Sequence, residues 1–262
     1  MLANKTVSIN VDLGEVEDAI RQAAEVIPWV DSVNVALGGH AGSPEVAREI
    51  CALANPAGVA VHLHPGYPDR SGFGRRHMEM PRDELLYSLS QQRDVLPDIK
   101  VCKFHGALYN GADQDAALAA TLLDWCVEHR VHTILAPDSG HLQSAAMERD
   151  VKVIREAFGD RRYVRDGQRI RLADRGIAGS VIESPEQILD SVRQLVRHNR
   201  ITLLESKSPP SIACRKTDSH EDQNESTIIA FDMICLHGDT PYFSDAIRLI
   251  RQRLDLSVSE TA

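Results

Sequence analysis

Residues able to do chemistry recur at one place in the pattern of this 262-residue chain, at or just beyond the end of an apolar run. Asp12 and Glu15 follow the first run and His40 the second; His62 and His64 end the third, Lys103 and His105 the fourth, and His237 and Asp239 the last. Carboxylates and imidazoles serve as general acids and bases. Lys103 sits in an apolar run, where an ammonium is costly unless paired, so it reads as a cation for a substrate carboxylate or as a tuned base. His105 lies two residues on, on the same strand face. His62 reads as structural, packed or bonded within the sheet. Asp239 has a second reading as the cap of the helix that follows. Asp12, His40, His64 and His105 include the ligand types for a divalent metal. No H-x-x-x-H pair sits on one helix, and ligand types alone leave the metal undecided. A serine nucleophile lacks its G-x-S-x-G elbow, and Cys102 and Cys235 lie inside strands, where thiols are usually inert. Residues 69–76 are Gly-rich and basic, which suits either a mobile loop gripping an anion or a solvated turn. The remaining histidines, such as His77 and His129, read as surface groups.

These residues need elements to position them. The runs at 7–13, 33–39, 59–65, 100–106, 132–138, 152–158 and 232–238 are rich in Val and Ile and mostly apolar on both faces. Buried parallel strands read this way. Helices are expected over 44–55, 81–95, 113–129, 140–149, 184–198 and 241–254. Ser43-Pro44-Glu45 and Ser184-Pro185-Glu186 each supply an N-cap, a Pro at the first helical position and an acid in the first turn. Asp239-Thr240-Pro241 resembles them. Strands alternating with helices imply βαβ units and a parallel sheet, an α/β fold. Seven or eight such units fit the length. A closed barrel is expected ahead of a doubly wound sheet, which lacks its Gly-rich phosphate fingerprint here. In a barrel all strand C-termini open on one face, so the scattered polar residues converge there. One domain over 1–262 is expected, with a polar, exposed insertion at about 206–227.

The net charge of -9, with no block of Lys and Arg, argues against a nucleic-acid partner. No apolar stretch approaches the ~18 residues of a membrane span. The N-terminus lacks a basic segment followed by an apolar run. Five cysteines without a C-x-x-C pair read as free thiols. Together these point to the cytoplasm.

Six motifs in order resemble the LamB/YcsF family over nearly the whole chain. Asn10, Asp12, Leu13, Gly14 and Glu15 match N-x-D-L-G-E. Asn34, Ala36, Gly38, His40, Ala41, Gly42 and Pro44 match a second motif, N-x-A-x-G-x-H-A-G-D-P, with Ser43 in place of its Asp. His64 to Asp69 with Gly72 to Arg76 form a third. Lys103 to Asn110 match K-P-H-G-A-L-Y-N, with Phe104 for Pro. Glu156, Phe158, Asp160, Arg161 and Tyr163 form the fifth, and Cys235 to Pro241 the sixth. The resemblance implies a seven-stranded (β/α) barrel of the glycoside hydrolase/deacetylase type. It also implies opening of the 5-oxoproline lactam to glutamate, driven by ATP and performed with two partner subunits. The expected catalytic residues are Asp12, His64, Lys103, His105, His237 and Asp239, with Asp12 or Asp239 as general base. Glu15, Asn34, His40, Tyr109, Asn110 and Arg161 are expected to bind substrate. No Walker A sequence is present, so ATP is expected to be handled with a partner. The alternatives are a metal-dependent deacetylase or amidohydrolase acting alone, and a non-catalytic lactam-binding paralogue.

Overall fold

The structure, a computed structural model, describes residues 7–204, 225–240 and 242–254. In chain order the strands are β1 (Ser8–Leu13), β2 (Ser32–Ala36), β3 (Ala60–His64), β4 (Val101–Cys102), β5 (Thr133–Ala136), β6 (Lys152–Phe158), β7 (Tyr163–Asp166), β8 (Arg169–Leu172), β9 (Arg200–Thr202), β10 (Ser226–Ile228) and β11 (Met233–His237). Seven of them close a parallel barrel in the order β1-β11-β6-β5-β4-β3-β2. The helices are α1 (Ala19–Val26), α2 (Pro44–Ala54), α3 (Arg82–Arg93), α4 (Gly106–Gln114), α5 (Ala116–Glu128), α6 (His141–Glu148), α7 (Pro185–His198) and α8 (Phe243–Arg253).

All seven expected strands are barrel strands. Their outward side chains pack under helices whose apolar stripes face in: Ile188, Val192 and Leu195 of α7, and Phe243, Ile247 and Ile250 of α8, are buried. Local capping sets two helix starts as expected, since Ser43 accepts from the Val46 amide and Ser184 from the Gln187 amide. The expected helix at 113–129 is instead two. Asp115 breaks it and caps α5, accepting from the amides of Ala117 and Leu118 at 2.8 and 3.2 Å. The start at Asp239 is also corrected. Helix α8 begins at Phe243, its N-cap is Tyr242, and the Asp239 carboxylate is drawn to arginines instead.

One antiparallel hairpin and one further antiparallel strand pair were not expected. β7 and β8 pair between β6 and α7, and β9 pairs with β10. Most of the expected polar insertion at 206–227 lies outside the described residues; its end is strand, since Ser226 and Thr227 belong to β10. Among the described residues no helix is long and apolar enough to cross a membrane.

Register converts the sequence pattern into a site. In the closing seam Asp12 lies opposite His237, and across the next seam it lies opposite Asn34. Ala36 pairs with His64, and Leu63 with Cys102, which sets His64 beside Lys103. Alternation sends Asn10 and Asp12, His62 and His64, and Cys235 and His237 to the same interior. The barrel centre is therefore polar. Asn10 donates to Ser32 Oγ at 2.7 Å, and Asn34 donates to Asp12 at 2.7 Å. His62 meets Asn34 at 3.0 Å within the sheet.

Candidate active site at the mouth of the barrel

A cavity of about 430 Å3 opens at the C-terminal ends of the strands, within the size of small-molecule sites, roughly 300–1,000 Å3. Its wall includes Asp12, His64, Lys103, His105, Tyr109, Asn110, Phe158, Arg161 and His237, with Arg75 and Arg175 at the rim. Of the twelve expected site residues, these eight from Asp12 to His237, without Phe158, reach the cavity. Glu15, Asn34 and His40 are buried outside the lining, and Asp239 is engaged by Arg75 and Arg175.

Lys103 is the centre of the interior. The residue is 3% exposed, and its ammonium donates to both Asp12 oxygens at 3.0 and 3.2 Å. Glu156 lies 3.4 Å away, and the Cys235 thiol 2.9 Å away. Burial opposes both charges of the pair. The attraction of Lys103 still holds the Asp12 carboxyl well below the usual range, and Asp12 in turn holds Lys103 well above its own. Burial keeps the Cys235 thiol neutral by pushing it well up. An ion-paired Asp12 is a poor proton acceptor, and Asp239, the other expected base, sits between Arg75 at 2.5 Å and Arg175 at 3.4 Å and outside the cavity lining.

His237 is placed differently. Its Nδ1 lies 3.0 and 3.1 Å from the two Asp160 oxygens, and its backbone amide donates to Asp160 at 2.9 Å. Burial raises the Asp160 carboxyl, but His237 outweighs it and holds the group down. Nε2 then faces the cavity, 3.9 Å from Asp12. Phe158 stacks on the ring at 5.3 Å. Gly238 makes this geometry possible: a Cβ there would meet the Asp12 carbonyl oxygen at 2.3 Å.

On the other flank, Glu15 and three histidines form a second cluster. Glu15 Oε1 lies 3.0 Å from His40 Nε2, 3.2 Å from His105 Nδ1 and 3.5 Å from His64 Nε2. Each of the four residues offers one ligand atom, and these atoms lie within 4.8 Å of one another, a buried group that could hold a metal. Glu15 thus takes the place expected for Asp12 among the ligand types. Burial lowers His40 to about 3 and also lowers His105. Burial opposes charge on His64 too, but Asp12 and Glu15 raise it to about 9. The loop at 69–76 is neither loose nor a plain turn. Arg70 donates to the carbonyls of Gly38 and Gly42, Arg76 is held by Asp69, and Arg75 reaches Asp239. Phe73 adopts φ 57°, rare for a bulky residue, and its carbonyl meets His105 Nε2 at 2.9 Å.

Arg161 is buried and donates to the carbonyls of Ala173 and Ser180; burial and then Arg175 push it down to about 10. Sequence reasoning reached Arg75 only within the basic loop at 69–76 and Glu156 and Asp160 only as motif residues without a role, and it did not single out Arg175. Glu156 had a usable signal, a carboxylate two residues before the end of an apolar strand, the same sign that exposed Lys103. Arg175 had none, because the β7–β8 hairpin that carries it past the rim was not foreseen.

The LamB/YcsF family model matches residues 7–261. A protein of Pseudomonas aeruginosa, named as a 5-oxoprolinase subunit, is 32% identical, with 96% of this chain and 97% of the relative covered. One of Clostridium beijerinckii, also named as a 5-oxoprolinase subunit, is 34% identical over 95% of this chain and 94% of its own. The crystal structure of a lactam utilization protein from Thermus thermophilus superposes with a TM-score of 0.73 at 29% identity, covering 94% of this chain and 96% of that one. The chain belongs to the LamB/YcsF family.

Proposed function

We propose that this chain is a hydrolase subunit that opens the lactam of 5-oxoproline to glutamate, within an ATP-dependent complex with two partner subunits. The observation that carries the reading is the His237–Asp160 pair beside a cavity that Lys103 also lines. The names of the relatives supply the substrate and the membership of a complex. 5-Oxoproline carries one carboxylate and one ring amide. Arg161, Arg75 and Arg175 provide cations for the carboxylate at the rim. Lys103, although ion-paired with Asp12 and Glu156, lines the cavity and lends positive potential against negative charge developing on the lactam oxygen. Asp160 holds the proton on His237 Nδ1, so Nε2 takes one from water. The water oxygen bonds to the ring carbon, the carbon–nitrogen bond breaks, and the proton passes to the leaving nitrogen. A lactam is an unactivated amide. Phosphoryl transfer from ATP to its oxygen, with release of ADP, would make the carbon electrophilic; water addition and carbon–nitrogen cleavage then leave a γ-glutamyl phosphate, which a second water hydrolyses to glutamate and phosphate. His64, His105, Tyr109 and Asn110 shape the wall, and Glu15, Asn34 and His40 support it from behind. The unpaired thiols of Cys51, Cys102, Cys126 and Cys235 suit the reducing cytoplasm.

Two measurements test this. A thermal shift of the purified chain with 5-oxoproline, against proline and glutamate as controls, reads binding to the native state. Glutamate release by the complex co-purified with its partners, with and without ATP, reads the reaction. The absence of both the shift and ATP-dependent glutamate would remove the proposal. The Glu15–His40–His64–His105 group favours a second reading, a metal-dependent amidohydrolase acting alone; it predicts turnover without ATP or partners.

A further inference from the structure

We propose that Glu15, His40, His64 and His105 form a binding site for one divalent metal ion of the zinc class. The site rests on the geometry of these side chains and not on the lactam reading. Proton positions come first. His64 Nδ1 lies 2.8 Å from the Lys103 carbonyl oxygen, and His105 Nε2 lies 2.9 Å from the Phe73 carbonyl oxygen. A carbonyl only accepts, so both outer nitrogens donate and carry hydrogen. In the neutral rings the inner nitrogens are then bare lone pairs. These two lone pairs face each other at 3.0 Å, and each also faces Glu15 Oε1, at 3.2 Å for His105 and 3.5 Å for His64. Three acceptors then converge on one point, and a positive centre between them, a proton on His64 Nε2 or a metal ion, relieves the convergence.

The charge balance gives the same answer. Lys103 is taken by Asp12 and Glu156. Among the described residues Glu15 has imidazoles but no Lys or Arg as ion-pair partners, although its side chain is 1% exposed. Its one neighbour held toward a charged form is His64, which it shares with Asp12, so Glu15 is short of positive charge, and a buried carboxylate in that state is costly. Its second oxygen, Oε2, is buried and has no hydrogen-bond partner, and neither does His40 Nδ1. With Nδ1 unpartnered, His40 is free to donate from Nε2 to Glu15 at 3.0 Å or to turn Nε2 as a lone pair toward an ion. A proton relieves one of these contacts; a divalent ion relieves all of them at once.

The spacings fit as well. Bonds of about 2.0–2.1 Å in a tetrahedron put donor atoms about 3.3 Å apart. Four of the six donor separations, 3.0, 3.0, 3.2 and 3.5 Å, bracket that value and all six lie within 4.8 Å, while the stacked rings of His40 and His105 must tilt to share an ion. Three imidazoles with one carboxylate suit zinc, nickel, cobalt and iron(II) rather than calcium or magnesium. Outer ring nitrogens tied to backbone carbonyls are the usual support for metal-bound histidines. His64 and His105 also line the cavity, so an ion there borders the space that receives the ligand.

The test uses tag-free full-length protein, stripped with a chelator and titrated with zinc by calorimetry and with cobalt(II) by visible absorption. One ion per chain is expected, with the intense d–d bands of a four-coordinate cobalt site. X-ray absorption of the zinc form should count imidazole scatterers. Glu15→Gln and His105→Ala should each weaken binding by more than about 100-fold, while His77→Ala leaves it unchanged, with circular dichroism checking the fold of each variant. Failure of the stripped wild-type chain to bind either ion overturns the site. So does binding without imidazole scatterers, or binding that folded Glu15→Gln protein retains. Because no 5-oxoproline is present, failure here leaves the lactam proposal intact, and failure of that proposal leaves this one.

Discussion

Two flanks of the same barrel mouth use histidine in opposite ways. On the flank of β2 to β4, His64 and His105 point their outer nitrogens at backbone carbonyls and their inner nitrogens at a buried carboxylate. On the flank of β6 and β11, His237 points its outer nitrogen at the Asp160 carboxylate and its inner nitrogen at an open cavity. The partner of the second nitrogen decides what an imidazole can do. A carbonyl partner with a crowded interior suits the proposed cation holder. A carboxylate partner with open space suits the proposed base. Asp12 is the hinge between the flanks, 3.5 Å from His64, 3.9 Å from His237 and ion-paired to Lys103.

Breaking that hinge should have the largest effect. Asp12→Asn leaves buried Lys103 with Glu156 as its one anionic neighbour among the described residues. Stability is expected to fall by about 3 kcal/mol in urea unfolding, with glutamate formation abolished. Near-normal turnover in this variant would remove Asp12 from the site. Next come His237→Gln and Asp160→Asn, expected to lower turnover by roughly 10²–10⁴-fold and to leave the cobalt spectrum untouched. A changed spectrum would mean that the two flanks are one site.

Gly238→Ala sharpens the comparison through the backbone alone. Its Cβ would meet the Asp12 carbonyl oxygen at 2.3 Å, so β1 and β11 must separate. A loss of about 1–3 kcal/mol is expected by thermal unfolding, with turnover impaired and cobalt binding kept. The smallest effect should come from Asp113, outside both flanks. Burial raises its carboxyl from 3.8 to about 6. The folded chain therefore holds more protons than the unfolded one between those values. Its contribution to stability is full below about pH 4 and is lost as pH rises through about 6. Asp113→Asn should flatten that fall and stabilise the protein at pH 7 by about 1 kcal/mol, since the group is partly solvated. An unchanged slope in melts from pH 4 to 7 would contradict this.

The barrel strands were legible because a strand buried on both faces must be apolar along its length, and that requirement is local. The helix starts at Ser43 and Ser184 were legible because capping is settled within three residues. Asp239 has similar local credentials, yet among the described residues Tyr242 is the N-cap of α8 and Arg75 and Arg175, remote in sequence, hold the Asp239 carboxylate. Helix α4 was missed because Gly106 and Gly111 weaken its signal. The β7–β8 hairpin was missed because its exposed, Arg-rich strands carry no continuous apolar face.

The candidate site divides the same way. Residue type and position after an apolar run were enough to name Asp12, His64, Lys103, His105 and His237 as neighbours, because parallel strands in a barrel end on one face. Sequence alone thus determined the α/β barrel, the family motifs and the set of polar residues at its mouth. Only tertiary structure decided their pairing: Asp12 with Lys103, Asp160 with His237, and Glu15 rather than Asp12 with the three histidines. The physical reason is reach. Propensity, capping and alternation act over a few residues, whereas the roles of these groups are set by ion pairs and hydrogen bonds between segments up to 223 positions apart, and those exist only once the barrel has closed.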